Sequence, residues 1–177
     1  MPETPPAATT AYICECGKKW VFLKTAAAAR KLVDEAIPHH LAALQANPRH
    51  IDYRSRYRNS LVELTQSCAG LGDRPAALAT ATKRRDLGWD PAVDAYEAAC
   101  MLALCVPIVE NDDKLDAPKR QDEMQFYADQ AIAMLRDAVA KGYKNIEHLK
   151  NDKYIGAIRE REDFKKIVAE LEAKTKE

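Results

Sequence analysis

Glycine is scarce in this chain, with six in 177 residues, too few for the many tight turns of an all-β fold. Aromatic residues make up only 7%, and alanine supplies much of the apolar content. An alanine-rich, aromatic-poor chain suits closely packed helices better than a β-sandwich. Net charge is missing too: 27 basic and 27 acidic residues cancel. No overall field draws in nucleic acid or an anionic membrane, so neither is expected as a partner. No apolar run approaches the roughly 20 residues of a membrane span. The first thirty residues lack an apolar signal-peptide core, because Pro5, Pro6, Glu15 and Lys18 interrupt them. A soluble, cytoplasmic protein is the expectation.

What remains is an ordinary globular composition, 47% hydrophobic and 31% charged, at a length that fits one domain. Residues 1–10 are a Pro/Thr/Ala stretch with nothing to pack, and residues 1–17, including Cys14-Glu-Cys16, read as a disordered tail. The helical domain spans 18–177. Cysteines stand at 14, 16, 68, 100 and 105, an odd number, and the last three fall at helix-core positions, as reduced buried thiols do.

Helices are expected from about Thr25 onward, as hairpins over about 20–48, 53–88 and 94–142 with capping helices over 145–174. Tyr53, Tyr57, Leu61, Leu64 and Cys68 recur every three or four residues, one stripe of an amphipathic helix. Gly70, Gly72 and Asp73 break it, and Pro75 suits the first turn of a return helix carrying Ala76, Ala77 and Ala81. Gly88 and Asp90-Pro91 close that hairpin. The next opens with Asp94 and runs through Tyr96, Ala99, Cys100, Ala103 and Leu104, with Pro107 near its end. Residues 110–122 are polar and read as the longest connection. The return helix carries Tyr127, Ala131, Leu135, Ala138 and Val139 and stops at Gly142. Asn145 caps a short helix, and Phe164, Ile167, Val168 and Leu171 share one face of the last. That helix offers Glu162/Lys166 and Glu172/Lys176 as i,i+4 pairs, each worth about 0.2–0.5 kcal/mol.

These spacings resemble the tetratricopeptide repeat (TPR), in which bulky residues of a first helix meet small ones of a second. Leu61, Leu64 and Cys68 stand at the Trp, Leu and Tyr positions, Thr65 at the usual glycine, and Ala77 and Ala81 follow the Gly72-Asp73 turn. In the second unit Tyr96, Ala99, Cys100 and Ala103 are followed by Ala131, Leu135 and Ala138, with about nineteen extra residues between the halves. An upstream unit keeps the same offsets through Trp20, Leu23, Ala27, Ala36, His40, Ala43 and Pro48, although Lys31-Leu32 makes a poor turn and Pro38 interrupts the return helix. The fold class is therefore all-α, a TPR-like α-α superhelix of stacked antiparallel hairpins. A generic alanine-rich helix bundle is the alternative.

The stretch Tyr96–Cys105, Tyr127–Leu135, Ala138-Val-Ala-Lys-Gly-Tyr143 and Glu162-Asp-Phe164 resembles the C-terminal TPR region of planctomycete-type bacterial serine/threonine protein kinases and related stand-alone TPR proteins. The resemblance covers roughly residues 40–175 and implies a superhelix that mediates protein contacts. It carries no kinase activity: there is no glycine-rich phosphate loop, no His-Arg-Asp loop and no Asp-Phe-Gly motif.

Other chemistry is weaker. Cys14-Glu-Cys16-Gly17-Lys18 resembles half a zinc ribbon, but structural zinc wants four ligands, and adjacent His39 and His40 point apart on a helix. No metal site and no cofactor are expected. Nothing beside Cys68, Cys100 or Cys105 supplies a base, and His50 and His148 read as surface or capping residues. Asp112-Asp113 is solvated loop charge, and the basic clusters Arg54/Arg56/Arg58 and Lys83-Arg84-Arg85 have only Tyr57 interleaved.

A non-catalytic scaffold or adaptor follows, with no catalytic residues. Its concave groove would hold a protein or peptide on Asn59, Val62 and Gln66 from one unit and Asp94, Glu97 and Met101 from the next. The rival readings are an accessory or sensor domain of a kinase-associated signalling enzyme, and an enzyme with an unrecognised site. A blander one is the tail of a longer repeat protein whose first fifty residues act as a cap, self-associating through the repeat ends.

Overall fold

The computed structural model describes the backbone of residues 12–16, 19–23 and 25–175, and the side chains of 25–174. Strands β1 (Tyr12–Cys16) and β2 (Lys19–Leu23) pair antiparallel in a register running from Tyr12 opposite Leu23 to Cys16 opposite Lys19. The expected tail at 1–17 is thus corrected over its last part, since Tyr12–Cys16 is strand; residues 1–10 lie outside the described residues. From Thr25 onward the described chain is all helical.

Helix α1 (Ala26–Ala46) starts where the Thr25 hydroxyl accepts the Ala28 N–H at 3.2 Å. Ala29, Val33 and Leu44 are buried and Ile37 partly so, four residues or a multiple of them apart except at the last step. The helix runs unbroken through Lys31-Leu32 and Pro38, and Trp20 and Leu23 lie on β2. The upstream hairpin at 20–48 is therefore not formed. Lys31-Leu32 offers neither a glycine for a left-handed turn nor a capping side chain, so nothing there stops a helix.

Helix α2 (Ile51–Gly70) ends in a reciprocal pair of bonds, Gly72 N–H to the Ala69 carbonyl at 3.0 Å and Asp73 N–H to the Cys68 carbonyl at 2.9 Å. This closure requires the left-handed backbone of Gly72, at φ 75°. Asp73 then caps α3 (Arg74–Arg85) by accepting the Ala76 N–H at 3.1 Å, with Pro75 in the first turn. Helix α4 (Pro91–Glu110) is capped by Asp90, which accepts the Val93 N–H at 3.3 Å. The expected opening at Asp94 is thus one turn late.

The polar stretch 110–122 is not one long connection. Asp116 accepts the Lys119 N–H at 2.9 Å and Pro118 sits in the first turn, so α5 (Ala117–Ala140) begins inside it. The extra residues between the two halves lengthen the helices, to 20 residues in α4 and 24 in α5. Asn145 caps α6 (Ile146–Asn151), a 3-10 turn spans Lys153–Ile158, and α7 (Glu162–Thr175) buries Phe164, Ile167, Val168 and Leu171. Glu162 pairs with Lys165 at 3.2 Å, one residue short of the expected Lys166, and Glu172 reaches across to Lys150.

Each helix from α1 to α5 packs on the next in sequence, and α4 also meets α2 and the 3-10 turn. Being covered from several sides, α4 buries twelve of its residues, including Ala95, Ala98, Ala99, Leu102, Ala103 and Cys105. This explains a correction to the hydropathy reading. By length and composition α4 passes for a membrane span, with a mean hydropathy of 1.7 over 18 residues, but 67% of that window is buried inside the protein.

Candidate functional site

An open pocket of about 440 Å³ lies where the start of α4 meets the turn between α5 and α6. From the α4 side come Asp90, Val93, Tyr96 and Glu97; the last three share a face because they lie three and four residues apart. The other wall is placed by the end of α5. Gly142 takes φ 102°, its N–H reaching the Val139 carbonyl and the Tyr143 N–H the Ala138 carbonyl at 2.9 Å. This turn directs Tyr143 back onto Tyr96, where the rings stack with centroids 4.3 Å apart and 6° between planes. Lys144 and His148 complete that wall.

Behind the pocket Tyr96 enters a polar cluster. Its phenol donates to Asp152 Oδ2 at 2.6 Å, the Cys100 thiol donates weakly to the same oxygen at 3.7 Å, and His148 Nε2 stands 3.5 Å from it. Asp152 Oδ1 caps the 3-10 turn by accepting the Tyr154 N–H at 2.9 Å, while its carbonyl accepts from Arg159 at 2.6 Å. Burial pushes the Tyr96 hydroxyl far above the ordinary phenol range, with Cys100 and Asp152 adding to it. Burial likewise pushes the Cys100 thiol up, helped by the Glu97 and Asp152 charges. Tyr143 is pushed up to about 12, again mainly by burial. Cys100 is therefore a neutral thiol at physiological pH, without the thiolate that nucleophilic chemistry needs.

Asp94 and Met101, expected in the open groove, are core residues, 0% and 1% exposed. Asp94 Oδ1 accepts from Arg58 at 3.0 Å and from Arg84, and Oδ2 accepts the N–H groups of Trp89 at 2.9 Å and Asp90 at 3.0 Å. Burial opposes its charge, but the Asp90 amide and the Arg84 guanidinium outweigh it and hold the carboxyl below its usual range. Met101 is buried because α4 is covered on that side as well. Of the other expected groove residues, Asn59 is exposed and Val62 and Gln66 are half-buried on α2. Glu97 is half-buried and alone among the six lines the pocket.

Three of the six basic-cluster residues are drawn toward the same core, while Arg56 and Lys83 stay exposed. Arg54 and Arg58 lie over the Trp89 ring at 4.8 and 5.0 Å, Arg54 donates to the Pro48 carbonyl at 2.8 Å, and Arg84 is spent on Asp94. Sequence reasoning missed Asp152 and Tyr143. The available signals were Asp152-Lys-Tyr154, an acidic cap ahead of a turn, and an aromatic directly after the Gly142 helix stop. Among the described residues, no group of three or more His, Cys, Asp or Glu is arranged to hold a metal ion. The side chains of Cys14 and Cys16 lie outside the described residues.

No family model, no curated protein and no solved structure matches the chain.

Proposed function

We propose that this chain is a non-catalytic interaction module, a TPR-like α-α superhelix that binds a protein or peptide partner in the cytoplasm. The repeat reading is supported by burial at the repeat positions. Leu61, Thr65, Cys68, Ala77 and Ala81 of one unit are buried and Leu64 only partly so, while Tyr96, Ala99, Cys100, Ala103, Ala131, Leu135 and Ala138 of the next are buried. The contact between α2 and α4, first helices of successive units, is the one that stacked hairpins make. Free thiols at Cys68, Cys100 and Cys105 suit a reducing compartment.

The observation that carries the binding reading is Glu97. It stands on the first helix of its unit and opens into the pocket that α4 forms with the turn after α5, while the reactive groups around it are locked into core hydrogen bonds. The groove is smaller than the sequence implied, without Asp94 and Met101. The test is affinity capture from the native cell with identification of the co-purifying proteins. Gln66→Ala and Glu97→Ala together should abolish recovery of a specific partner while helicity stays unchanged. Equal recovery by the doubly substituted protein would refute the groove.

A further inference from the structure

Glu97 makes no ion pair and no hydrogen bond among the described residues, its charge acting on Arg84 only from beyond ion-pair distance, although it is half-buried and four of the nine other pocket residues are charged or phenolic. The surrounding carboxylates are otherwise engaged: Asp94 by two arginines, Asp152 by Tyr96, and Asp90 by the Val93 amide. The buried, stacked Tyr96 and Tyr143 line the same pocket, and the Glu97 side chain is itself half-buried against it. A carboxylate held this way gains most from an incoming cation, because a partly desolvated pair is screened less than one in open solvent. The pocket's own cations do not meet this need. His148 is directed at Asp152, 3.5 Å away, and Lys144 is an exposed rim residue that forms no ion pair among the described residues. The volume of about 440 Å³ is within the range of small-ligand pockets and takes one long side chain with its flanking backbone.

We infer that this pocket is a subsite for a basic side chain, arginine or lysine, of a peptide partner, with Glu97 as the counter-charge and Asp90 on the rim. The inference rests on the proposed interaction function and names the chemistry of the partner at one position. A guanidinium satisfies both carboxylate oxygens at once, so arginine is expected to be preferred to lysine.

The probe is a capped alanine pentapeptide with arginine at its centre, compared with the same peptide carrying neutral citrulline. Binding is followed by amide chemical shifts of the full chain. Saturable shifts at Glu97, Gly142, Tyr143 and Lys144 with the arginine peptide, weakened about five-fold or more by citrulline, are expected. Glu97→Gln should weaken binding as much as citrulline does, with an unchanged melting temperature as the control for folding. Lys144→Gln, which removes a repelling charge, should leave binding equal or tighter. Equal binding of both peptides, or full binding by Glu97→Gln, overturns the subsite. So do shifts at Asn59, Val62 and Gln66 instead of the pocket, but that result leaves the interaction module standing. Absence of any saturable shift overturns the subsite, while partner capture from the cell decides the module independently.

Discussion

Tyr96 and Asp152, 56 residues apart, meet at 2.6 Å and tie the C-terminal segment to the central helix. The bond is buried and charge-assisted, a class worth about 1.5–3 kcal/mol. Tyr96→Phe keeps the ring stack on Tyr143 and removes only the donor. It should lower the unfolding free energy by that amount in urea titration. Asp152→Ala should cost more, since it also strands the Tyr154 amide at the start of the 3-10 turn. A Tyr96→Phe protein as stable as the parent would show that the bond contributes nothing.

Asp94 and Arg84 form a buried pair, and removing one partner leaves the other charged and unsolvated. Asp94→Ala should destabilise by about 3–5 kcal/mol, and combining it with Arg84→Met should recover part of that loss. The pair also sets an acid limit. Because the folded carboxyl sits below its ordinary value, its stabilisation is present above the unfolded value near 4 and is lost as pH falls through the folded one. Denaturation midpoints measured from pH 5 down to 2 should fall less steeply for Asp94→Asn than for the parent.

Glu63 on α2 behaves in the opposite sense. Burial pushes its carboxyl up to about 7. Its contribution is full below the unfolded value near 4.5 and disappears as pH rises toward 7, so stability should decline across that window. Glu63→Gln should flatten the decline and make the protein more stable than the parent at pH 8. An unchanged pH profile would place this side chain in water.

Phe164 is 2% exposed and anchors α7 on the rest of the core. Phe164→Ala should cost about 3–5 kcal/mol, the range for emptying a buried aromatic site. A cost below about 1 kcal/mol would mean that α7 is only loosely attached.

The helices were legible where a local signal defined them. Gly72-Asp73, Gly142 and Asn145 act where their chemistry predicts, and the stripe Phe164, Ile167, Val168 and Leu171 is buried as its spacing requires. Errors arose where two signals competed. Asp90 and Asp94 both suit a cap, and only the backbone shows that Asp90 takes the role while Asp94 turns inward to the arginines. Asp116-Ala-Pro118 was hidden within a polar run, although it starts α5. At Trp20 and Leu23 the repeat offsets fitted a helix, but a two-stranded pairing formed instead. The pocket was the least legible element. Glu97 was reachable from its helix position, whereas Tyr143 and Asp152 arrive through turns and contacts far apart in the chain.

An open solenoid unravels from its ends, because each unit leans only on its neighbours. Here the 3-10 turn at Lys153–Ile158 closes back over α4, in the middle of the chain. Peeling away the last forty residues would uncover the side of that apolar helix beneath the turn, so partial melting from the C-terminal end is penalised. Heat should consequently dissolve the helical part in one cooperative step, with calorimetric and van't Hoff enthalpies in agreement.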